Sequence, residues 1–296
     1  MTNTLEYRDE LVRAVMLGGK ARLLAVTARD SVSELVRVHA LSPTMTVAAG
    51  RWLICGIFAG ADLKGETDAV NVTVQCDGPI EVLTTVCDYG NRVRQSVLHP
   101  HLELPEGENY RDLGALFGKG VLRVTRTQGE ARPWVGTCDM LSGNAGDDFA
   151  YYLTTSEQVN SFVSLSVEID RGGVVAAGGL LVQALPGCEG EDLDYLEARA
   201  QGMPPLSFFL REGFTAAQLI ELFAGYSDVE YLATEPVTYS CPCSRSRMSR
   251  NLIALGREQL TELADDPEGI ELVCWFCRTR YNFSQTEVRE LLASAR

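Results

Sequence analysis

The chain has 296 residues, of which 46% are hydrophobic and 22% are charged, proportions that are ordinary for a globular protein. Its formal net charge of −14 argues against nucleic-acid binding, because recognition of a phosphate backbone usually needs a basic surface. No stretch resembles a signal peptide or approaches the ~20 apolar residues that span a bilayer, which predicts a cytoplasmic protein without a membrane partner.

Residues 1–187 are predicted to form one α+β domain of helices and antiparallel sheet. Apolar residues at helical spacing predict a helix over Ser31–Leu41, with His39 on its apolar face. The next segment, Thr44–Leu63, is apolar on nearly every side, which is typical of a helix buried in a core against sheet. Strands are predicted at Ala21–Thr27, Val70–Gln75, Ile80–Val86, Gly120–Thr125, Val163–Ile169 and Val174–Leu185.

Residues 188–240 are predicted to be an acidic helical linker, because they hold ten Asp or Glu residues against two arginines. Leu193 and Leu196 indicate a first, weak helix. Thr215-Ala216-Ala217-Gln218 is a capping box, which predicts a second short helix over residues 216–224 that ends at Gly225. Short acidic helices with apolar faces need a surface to lie on, so this segment is predicted to be ordered but of low local stability.

Residues 241–296 are predicted to form a third unit. A helix is expected up to Gly256, a second over Glu258–Ala264, and then a hairpin of Ile270–Val273 with Thr279–Phe283. Another capping box, Ser284-Gln285-Thr286-Glu287, opens a last helix. Large apolar residues are few here, so the core is marginal and bound metal is predicted to be required for the fold. Structural zinc can contribute on the order of 10 kcal/mol to such a module.

Four cysteines of this unit have the spacing of a metal site. Cys241-Pro242-Cys243 and Cys274-Trp275-Phe276-Cys277 are two close pairs separated by thirty residues. Four thiolates gathered from two turns are the usual ligands of a tetrahedral Zn²⁺. A catalytic zinc normally keeps an open position and uses His or carboxylate ligands, and the three histidines lie far upstream. The sequence therefore predicts one closed, non-catalytic zinc site, which leaves a structural staple or a switch.

The other five cysteines are scattered and mostly flanked by apolar residues, so they are predicted to be buried thiols without a chemical role. They are Cys55, Cys76, Cys87, Cys138 and Cys188.

Three arginines follow the clustered pairs closely, and they either relieve the negative charge of the metal site or lie solvated on the surface. These are Arg245, Arg247 and Arg278. Gly118-Lys119-Gly120 lacks the spacing of a phosphate-binding loop and is predicted to be a turn, and residues 143–148 are predicted to be an acidic loop.

With these features the chain resembles the bacterial thirty-three-kilodalton heat-shock protein family of redox-regulated holdase chaperones. Its most specific motifs are Cys241-Pro242-Cys243-Ser244-Arg245, Cys274-x-x-Cys277 and Tyr281-x-Phe283. Further matching segments are His39-Ala40-Leu41-Ser42-Pro43-Thr44, Gly118-Lys119-Gly120-Val121-Leu122 and Ala177-Gly178-Gly179-Leu180-Leu181-Val182-Gln183. The chain departs from the family at Val159-Asn160, where proline is usual, and at Trp275, where an acidic residue is common.

The resemblance implies a non-enzymatic chaperone with a substrate-binding domain at 1–187, a linker at 188–240 and a zinc-binding redox domain at 241–296. It implies that Cys241, Cys243, Cys274 and Cys277 hold one Zn²⁺ in a reduced, inactive monomer. On oxidation, Cys241 would pair with Cys243 and Cys274 with Cys277, and zinc would be lost. The linker would then unfold and uncover apolar surface that binds unfolding client proteins, often as a dimer.

Two other classes of function compete with this interpretation. A zinc-stapled interaction module would keep its metal permanently, and a basic face near the cysteines would favour it, but residues 241–296 hold eight arginines against eight acids. A thiol oxidoreductase based on Cys274-x-x-Cys277 would normally sit in a βαβ unit, which the sequence does not indicate here.

Overall fold

In a computed structural model of the protein, residues 7–104 and 113–294 are described, and they form thirteen strands and ten helices. The strands are β1 Glu10–Met16, β2 Ala21–Thr27, β3 Ala69–Cys76, β4 Val82–Asp88, β5 Arg92–Val97, β6 Gly120–Thr127, β7 Trp134–Asp139, β8 Ser161–Asp170, β9 Gly173–Ala184, β10 Val229–Pro236, β11 Thr238–Tyr239, β12 Ile270–Val273 and β13 Arg280–Phe283. The helices are α1 Arg29–His39, α2 Pro43–Gly60, α3 Gly114–Phe117, α4 Ala145–Thr155, α5 Glu191–Gln201, α6 Leu206–Arg211, α7 Ala216–Ala224, α8 Arg245–Ala254, α9 Arg257–Ala264 and α10 Gln285–Ser294.

The chain divides into two compact units, Met1–Ser240 and Cys241–Arg296. The first unit contains two sheets. The five-stranded sheet has the order β10-β1-β2-β9-β8 and is antiparallel throughout, and the six-stranded sheet has the order β11-β5-β4-β3-β6-β7. Only the short pairing of β11 with β5 is parallel in the six-stranded sheet. The predicted α+β fold with antiparallel sheet is therefore confirmed. None of the helices in the described part of the chain has the length and apolarity needed to cross a bilayer.

Helix α2 is the centre of the main core, as its all-round apolar sequence predicts. It begins at the N-cap residue Ser42, whose hydroxyl accepts a hydrogen bond from the Met45 amide at 3.2 Å. Two glycines let the helix approach the six-stranded sheet closely. A Cβ atom on Gly56 would lie 2.3 Å from the Thr85 side chain, and one on Gly60 would lie 2.5 Å from Cys87 Sγ. Side chains at these two positions would therefore push the helix off the sheet.

The opposite face of the five-stranded sheet is covered by helices α5, α6 and α7, and the buried apolar side chains between them form a second core. Two adjacent glycines of β9 show how the sheet serves both cores. A Cβ atom on Gly178 would lie 2.8 Å from the Leu210 side chain of α6, whereas one on Gly179 would lie 3.0 Å from Ile54 of α2. The second core contains Val12, Ala14, Met16, Ala21, Leu23, Ala25, Ala176, Leu180, Val182, Cys188, Leu196, Leu206, Leu210, Ala216, Leu219, Ile220, Phe223 and Ala224.

Residues 188–240, which the sequence predicts to be a linker, lie in the first unit, and their low local stability stays a prediction. The capping box of Thr215 and Gln218 is present, and α7 ends before Gly225, as predicted. After α7, strand β10 pairs with β1 at the edge of the five-stranded sheet. The chain then crosses to β11 at the edge of the six-stranded sheet and reaches Ser240, whose amide donates to the Val93 carbonyl at 2.9 Å.

The sequence prediction was wrong or incomplete at several elements. The acidic loop predicted over residues 143–148 is partly helical, since α4 begins at Ala145 behind the N-cap residue Asn144. Strand β4 starts at Val82, later than predicted, because Glu81 has a φ of +56° and interrupts an extended backbone. Strands β1, β5, β7, β10 and β11 were not predicted. The turn prediction at Gly118-Lys119-Gly120 is confirmed, since α3 ends at Phe117 and β6 begins at Gly120.

Candidate metal centre

The second unit has a small core of its own, and the clustered cysteines are part of it. Helices α8, α9 and α10 pack with the β12–β13 hairpin around seven buried residues: Met248, Leu252, Leu260, Ala264, Cys274, Phe283 and Val288. Cys241, Cys243 and Cys277 are half-buried against this core. A core with so few large apolar residues contributes little stability by itself.

Two local structures hold the cysteine pairs. Cys241 and Cys243 stand directly before α8, whose N-cap residue Ser244 accepts a hydrogen bond from the Arg247 amide at 3.3 Å. Cys274 and Cys277 lie in the turn between β12 and β13. In that turn the Cys274 amide donates to the Thr279 carbonyl at 2.9 Å, and the Arg278 amide donates to the Cys274 carbonyl at 2.8 Å. The hairpin predicted around the second pair is therefore confirmed.

The fold brings the four predicted site residues together. The Sγ atoms of Cys241, Cys243, Cys274 and Cys277 all lie within 4.8 Å of one another. Cys241 Sγ is 3.7 Å from Cys274 Sγ, and Cys243 Sγ is 3.2 Å from Cys277 Sγ. Tetrahedral Zn²⁺ with sulfur ligands at about 2.3 Å needs sulfur–sulfur separations of about 3.8 Å. The four sulfurs therefore fit a metal ion, and thiolates are the ligands that zinc prefers.

The thiols of the cluster are strongly coupled. The hydrogen bond from Cys241, together with amides of its own turn, lowers the pKa of Cys274 below its usual range, against the opposing effect of burial. The same hydrogen bond raises the pKa of Cys241 far above its usual range. Burial raises the pKa of Cys243, and the hydroxyl of Tyr281 opposes this effect. A bound cation would favour ionisation of all four thiols, because it stabilises the thiolate form.

Two hydroxyl groups contact the sulfurs, and the sequence reasoning missed their role. Tyr281 Oη lies 3.1 Å from Cys243 Sγ, and Thr279 Oγ1 lies 3.2 Å from Cys277 Sγ. The hydrogen bond with Cys243 raises the pKa of Tyr281, so its phenol stays protonated. The signal in the sequence is the alternation of residues after the second cysteine pair, because residues 279 and 281 share a side of an extended segment.

Arg245 is not directed at the sulfurs. Its guanidinium donates to the Asn282 carbonyl at 2.8 Å and to Glu287 Oε1 at 2.5 Å, and it lies over the Phe283 ring, 4.3 Å from the centroid. Arg245 therefore joins α8 to β13 and α10 while its side chain stays about half exposed, and neither alternative from the sequence is decided for it. The role of Arg247 and Arg278 stays open.

The five scattered cysteines belong to the first unit, and all are free thiols. Cys55, Cys87 and Cys188 are buried, as predicted, whereas Cys76 and Cys138 are half-buried. Burial raises the pKa of all five thiols, to about 12 for Cys87 and about 11 for Cys138. Thiols with a raised pKa are poor nucleophiles at neutral pH, so these five are inert compared with the cluster.

The apolar residues of the linker helices α6 and α7 are mostly packed against the five-stranded sheet. Those buried in the second core are Leu206, Leu210, Leu219, Ile220 and Phe223. Phe209 is half-buried against the same core, but Phe208 is 62% exposed. The helices α5–α7 therefore keep a continuous apolar face of the sheet out of water.

The chain is similar to known proteins along nearly its whole length. A family model described as "Hsp33 protein" matches residues 9–284. A 33 kDa chaperonin of Ruminiclostridium cellulolyticum is 36% identical over 285 residues, which cover 96% of this chain and 98% of that protein. One of Geobacillus kaustophilus is 34% identical over 286 residues, which cover 96% and 97%. A crystal structure of the 33 kDa chaperonin of Thermotoga maritima superposes with a TM-score of 0.86 at 32% identity, covering 97% of this chain and 99% of that one.

Proposed function

Because the chain belongs to the Hsp33 family of molecular chaperones, we propose that it is an ATP-independent holdase controlled by oxidation of its four clustered cysteines. In the reduced state Cys241, Cys243, Cys274 and Cys277 would hold one Zn²⁺ and the chaperone would be inactive. Bound zinc would supply a cross-link between the two cysteine pairs. The observation that carries this proposal is the position of the four sulfurs, within 4.8 Å of one another inside a small separate unit.

The cysteines are placed both to sense an oxidant and to transmit the result. A thiolate attacks one oxygen of hydrogen peroxide, the O–O bond breaks, and a sulfenic acid and hydroxide form. A neighbouring thiol then attacks the sulfenic sulfur and releases water, so two thiols and one peroxide give one disulfide and two waters. Two such events consume all four thiolates, and the site can no longer retain a cation.

We infer that the disulfides form within each pair, Cys241 with Cys243 and Cys274 with Cys277. Sulfur–sulfur contacts also join the two pairs, Cys241 with Cys274 and Cys243 with Cys277, so proximity does not select this pairing. Pairing within each turn is favoured because it removes the cross-link between the two cysteine pairs. Bonds within a pair leave the segment before α8 free to separate from the β12–β13 turn, whereas bonds between the pairs would hold them together as the metal does. Peptide mapping of the oxidised protein identifies which pairing forms.

Loss of the metal cross-link would unfold residues 241–296, and we propose that the acidic linker 188–240 loosens next. Its helices are short, and ten acidic residues repel one another. Their departure would uncover the second core on the five-stranded sheet, and an apolar surface of that extent binds other apolar chains. The partners would be unfolding client proteins and, in the oxidised state, a second copy of this chain.

The proposal also includes a cytoplasmic location and the lack of a catalytic activity. Nine free cysteines suit the reducing cytoplasm, where an oxidant is a signal rather than the normal condition. Holding of clients needs no catalytic group, so we propose a non-enzymatic protein. The net charge of −14 supports binding of protein rather than nucleic acid.

The proposal is tested by counting zinc and free thiols before and after hydrogen peroxide with mild heating, beside an aggregation assay on an unfolding client. We expect release of about one zinc per chain, loss of four thiols and gain of anti-aggregation activity. Cys274→Ser should bind zinc poorly and lose redox control, whereas Cys76→Ser, which removes a half-buried thiol of the first unit outside the second core, should behave like the original chain. Retention of zinc in the active oxidised form would instead support a permanently stapled interaction module.

A further inference from the structure

Strand β13 and the residue before it present a row of alternating side chains to the cysteine cluster and its core. Thr279, Tyr281 and Phe283 are two residues apart, so they lie on one side of the extended segment. Phe283 is buried in the small core. The other two end in hydroxyl groups that contact sulfur, Thr279 at Cys277 and Tyr281 at Cys243. Each cysteine pair therefore has one sulfur with a hydroxyl neighbour.

The direction of these hydrogen bonds follows from the state of the sulfurs. A thiolate has lone pairs but no proton, so it only accepts hydrogen bonds, and the hydroxyl groups must donate. Distances of 3.1 and 3.2 Å are short for contacts between oxygen and sulfur. Hydrogen bonds to an ionised acceptor are also stronger than those between neutral groups. The hydroxyl groups are thus placed to stabilise the thiolate form of Cys243 and Cys277.

The positive charge of Arg245 is not directed at the thiolates. Four thiolates around one Zn²⁺ leave two net negative charges, which neighbouring donors or cations have to offset. The Arg245 guanidinium is committed to the Asn282 carbonyl and to Glu287. Among the residues that the structure describes, the side-chain hydroxyl groups that reach the sulfurs directly are those of Tyr281 and Thr279.

We propose that Tyr281 and Thr279 are positioning residues that set both the metal affinity of the cysteine cluster and the rate at which its sulfurs react with peroxide. This inference rests on the proposed function. A donated hydrogen bond withdraws charge from the thiolate, so the sulfur attacks peroxide more slowly and the cluster keeps its metal longer. The two hydroxyl groups therefore set the concentration of oxidant at which the cysteine cluster loses its zinc.

Two variants remove the hydroxyl groups with little change of shape, Tyr281→Phe and Thr279→Val. Each has a matched control: Thr279→Ser keeps a hydroxyl group at the same position, and Tyr231→Phe removes a phenolic hydroxyl from the first unit, where it contacts Glu221. Because the two variants act on different sulfurs, a folding defect in one leaves the other informative. Circular dichroism of the zinc-loaded proteins checks that each is folded.

The first readout is zinc affinity, measured by competition with a chromogenic chelator. Substitution of groups that hydrogen-bond to metal ligands typically costs 10- to 100-fold in affinity, so we expect a loss on the order of 10-fold for each variant. The second is the absorption of the cobalt-substituted protein, in which the sulfur-to-cobalt charge-transfer band should move to lower energy when a donor is removed. The third is zinc release by hydrogen peroxide, which should be faster in both variants and unchanged in both controls.

The outcomes separate this inference from the proposed function. If the original chain neither binds zinc nor releases it on oxidation, the proposed function fails. If the original chain does both, but Tyr281→Phe and Thr279→Val keep its zinc affinity, cobalt spectrum and release rate, only the role of the hydroxyl groups is overturned. A purely structural role for Tyr281 would lower thermal stability without shifting the cobalt band, and that result would also contradict the inference.

Discussion

Arg199 of α5 donates a hydrogen bond to the carbonyl oxygen of Leu222 at the C-terminal end of α7, at 2.6 Å. A second bond from its Nε atom reaches the Phe223 carbonyl at 2.7 Å, and the Tyr195 hydroxyl donates to the Ala224 carbonyl at 2.6 Å. The last carbonyl groups of a helix have no partner within the helix and carry a partial negative charge. One side of α5 therefore caps α7 and ties the two linker helices together.

The first prediction concerns this cap. Arg199→Met keeps the aliphatic stem but removes both hydrogen bonds, and we expect α7 to be destabilised by about 1–2 kcal/mol. Hydrogen exchange of the α7 amides should become faster in the reduced, zinc-loaded protein, and the linker should be cleaved sooner by protease. Arg171→Met, at an exposed arginine in the β8–β9 turn, is the control. Equal exchange in both variants would show that the cap does not stabilise α7.

The sequence predicted best where one local rule fixed an element. The capping box at Thr215 and the close spacing of Cys274 and Cys277 each depend on a few neighbouring residues, and α7 and the cysteine turn are as predicted. Strand β5 was missed because it contains two buried polar residues, Arg94 and Gln95. In the folded protein Arg94 donates a hydrogen bond to Asp88, and Gln95 donates one to the Ala49 carbonyl. Buried polar residues in a strand interrupt the apolar alternation by which a strand is recognised, and the Ala49 partner of Gln95 is distant in sequence.

Part of the candidate site also depended on distant contacts. The four cysteines were visible from spacing alone, because each pair comes from one turn. The hydroxyl groups of Tyr281 and Thr279 gain their role only from the path of β13 past the sulfurs. Likewise, the charge of Arg245 suggested a partner for the metal site, but Glu287 on α10 competes for it across the small core. Spacing therefore identifies the ligand candidates, whereas their surroundings require the fold.

A second prediction concerns the carboxylate of Asp68, which joins two loops of the first unit. Its oxygens accept hydrogen bonds from the amides of Gly65 at 2.9 Å, Lys64 at 3.3 Å and Gly129 at 3.0 Å. The Gly65 amide first, then Lys64 and Gly129, lower the pKa of Asp68 below its usual 3.8. A group with a lowered folded-state pKa stabilises the fold above its unfolded-state pKa, and this contribution disappears as the pH falls through the folded-state value.

Asp68→Asn should therefore be less stable than the original chain at pH 7 and pH 5, by an equal amount. The difference should shrink only below pH 3.8, where the carboxylate of the original chain becomes protonated. Urea unfolding followed by the fluorescence of the buried Trp52 measures the gap at each pH. Asp139→Asn, at an exposed aspartate of β7, provides the control. A gap that does not change down to the lowest accessible pH would contradict the role of the charge.

The last prediction concerns the contact by which the linker covers the sheet. Phe223 of α7 is fully buried and stacks on Phe162 of β8, with ring centroids 5.9 Å apart and planes at 24°. Phe223→Ala should cost about 3–5 kcal/mol, because it removes a large apolar side chain and leaves a cavity under α7. The linker would then leave the sheet more often while the cysteine cluster is still reduced, and the second core would be exposed without oxidation.

The zinc-loaded, reduced form of Phe223→Ala should therefore suppress aggregation of an unfolding client and bind a hydrophobic dye, whereas the proposed function expects this of the original chain only after oxidation. Phe208→Ala is the matched control, because that phenylalanine lies on the neighbouring helix α6 with 62% of its surface exposed, and its loss creates no cavity. Zinc content is measured in both variants, so that activity gained through metal loss is recognised. A reduced Phe223→Ala protein that holds its zinc, exposes its linker to protease and still fails to protect the client would show that the surface under α7 does not bind clients.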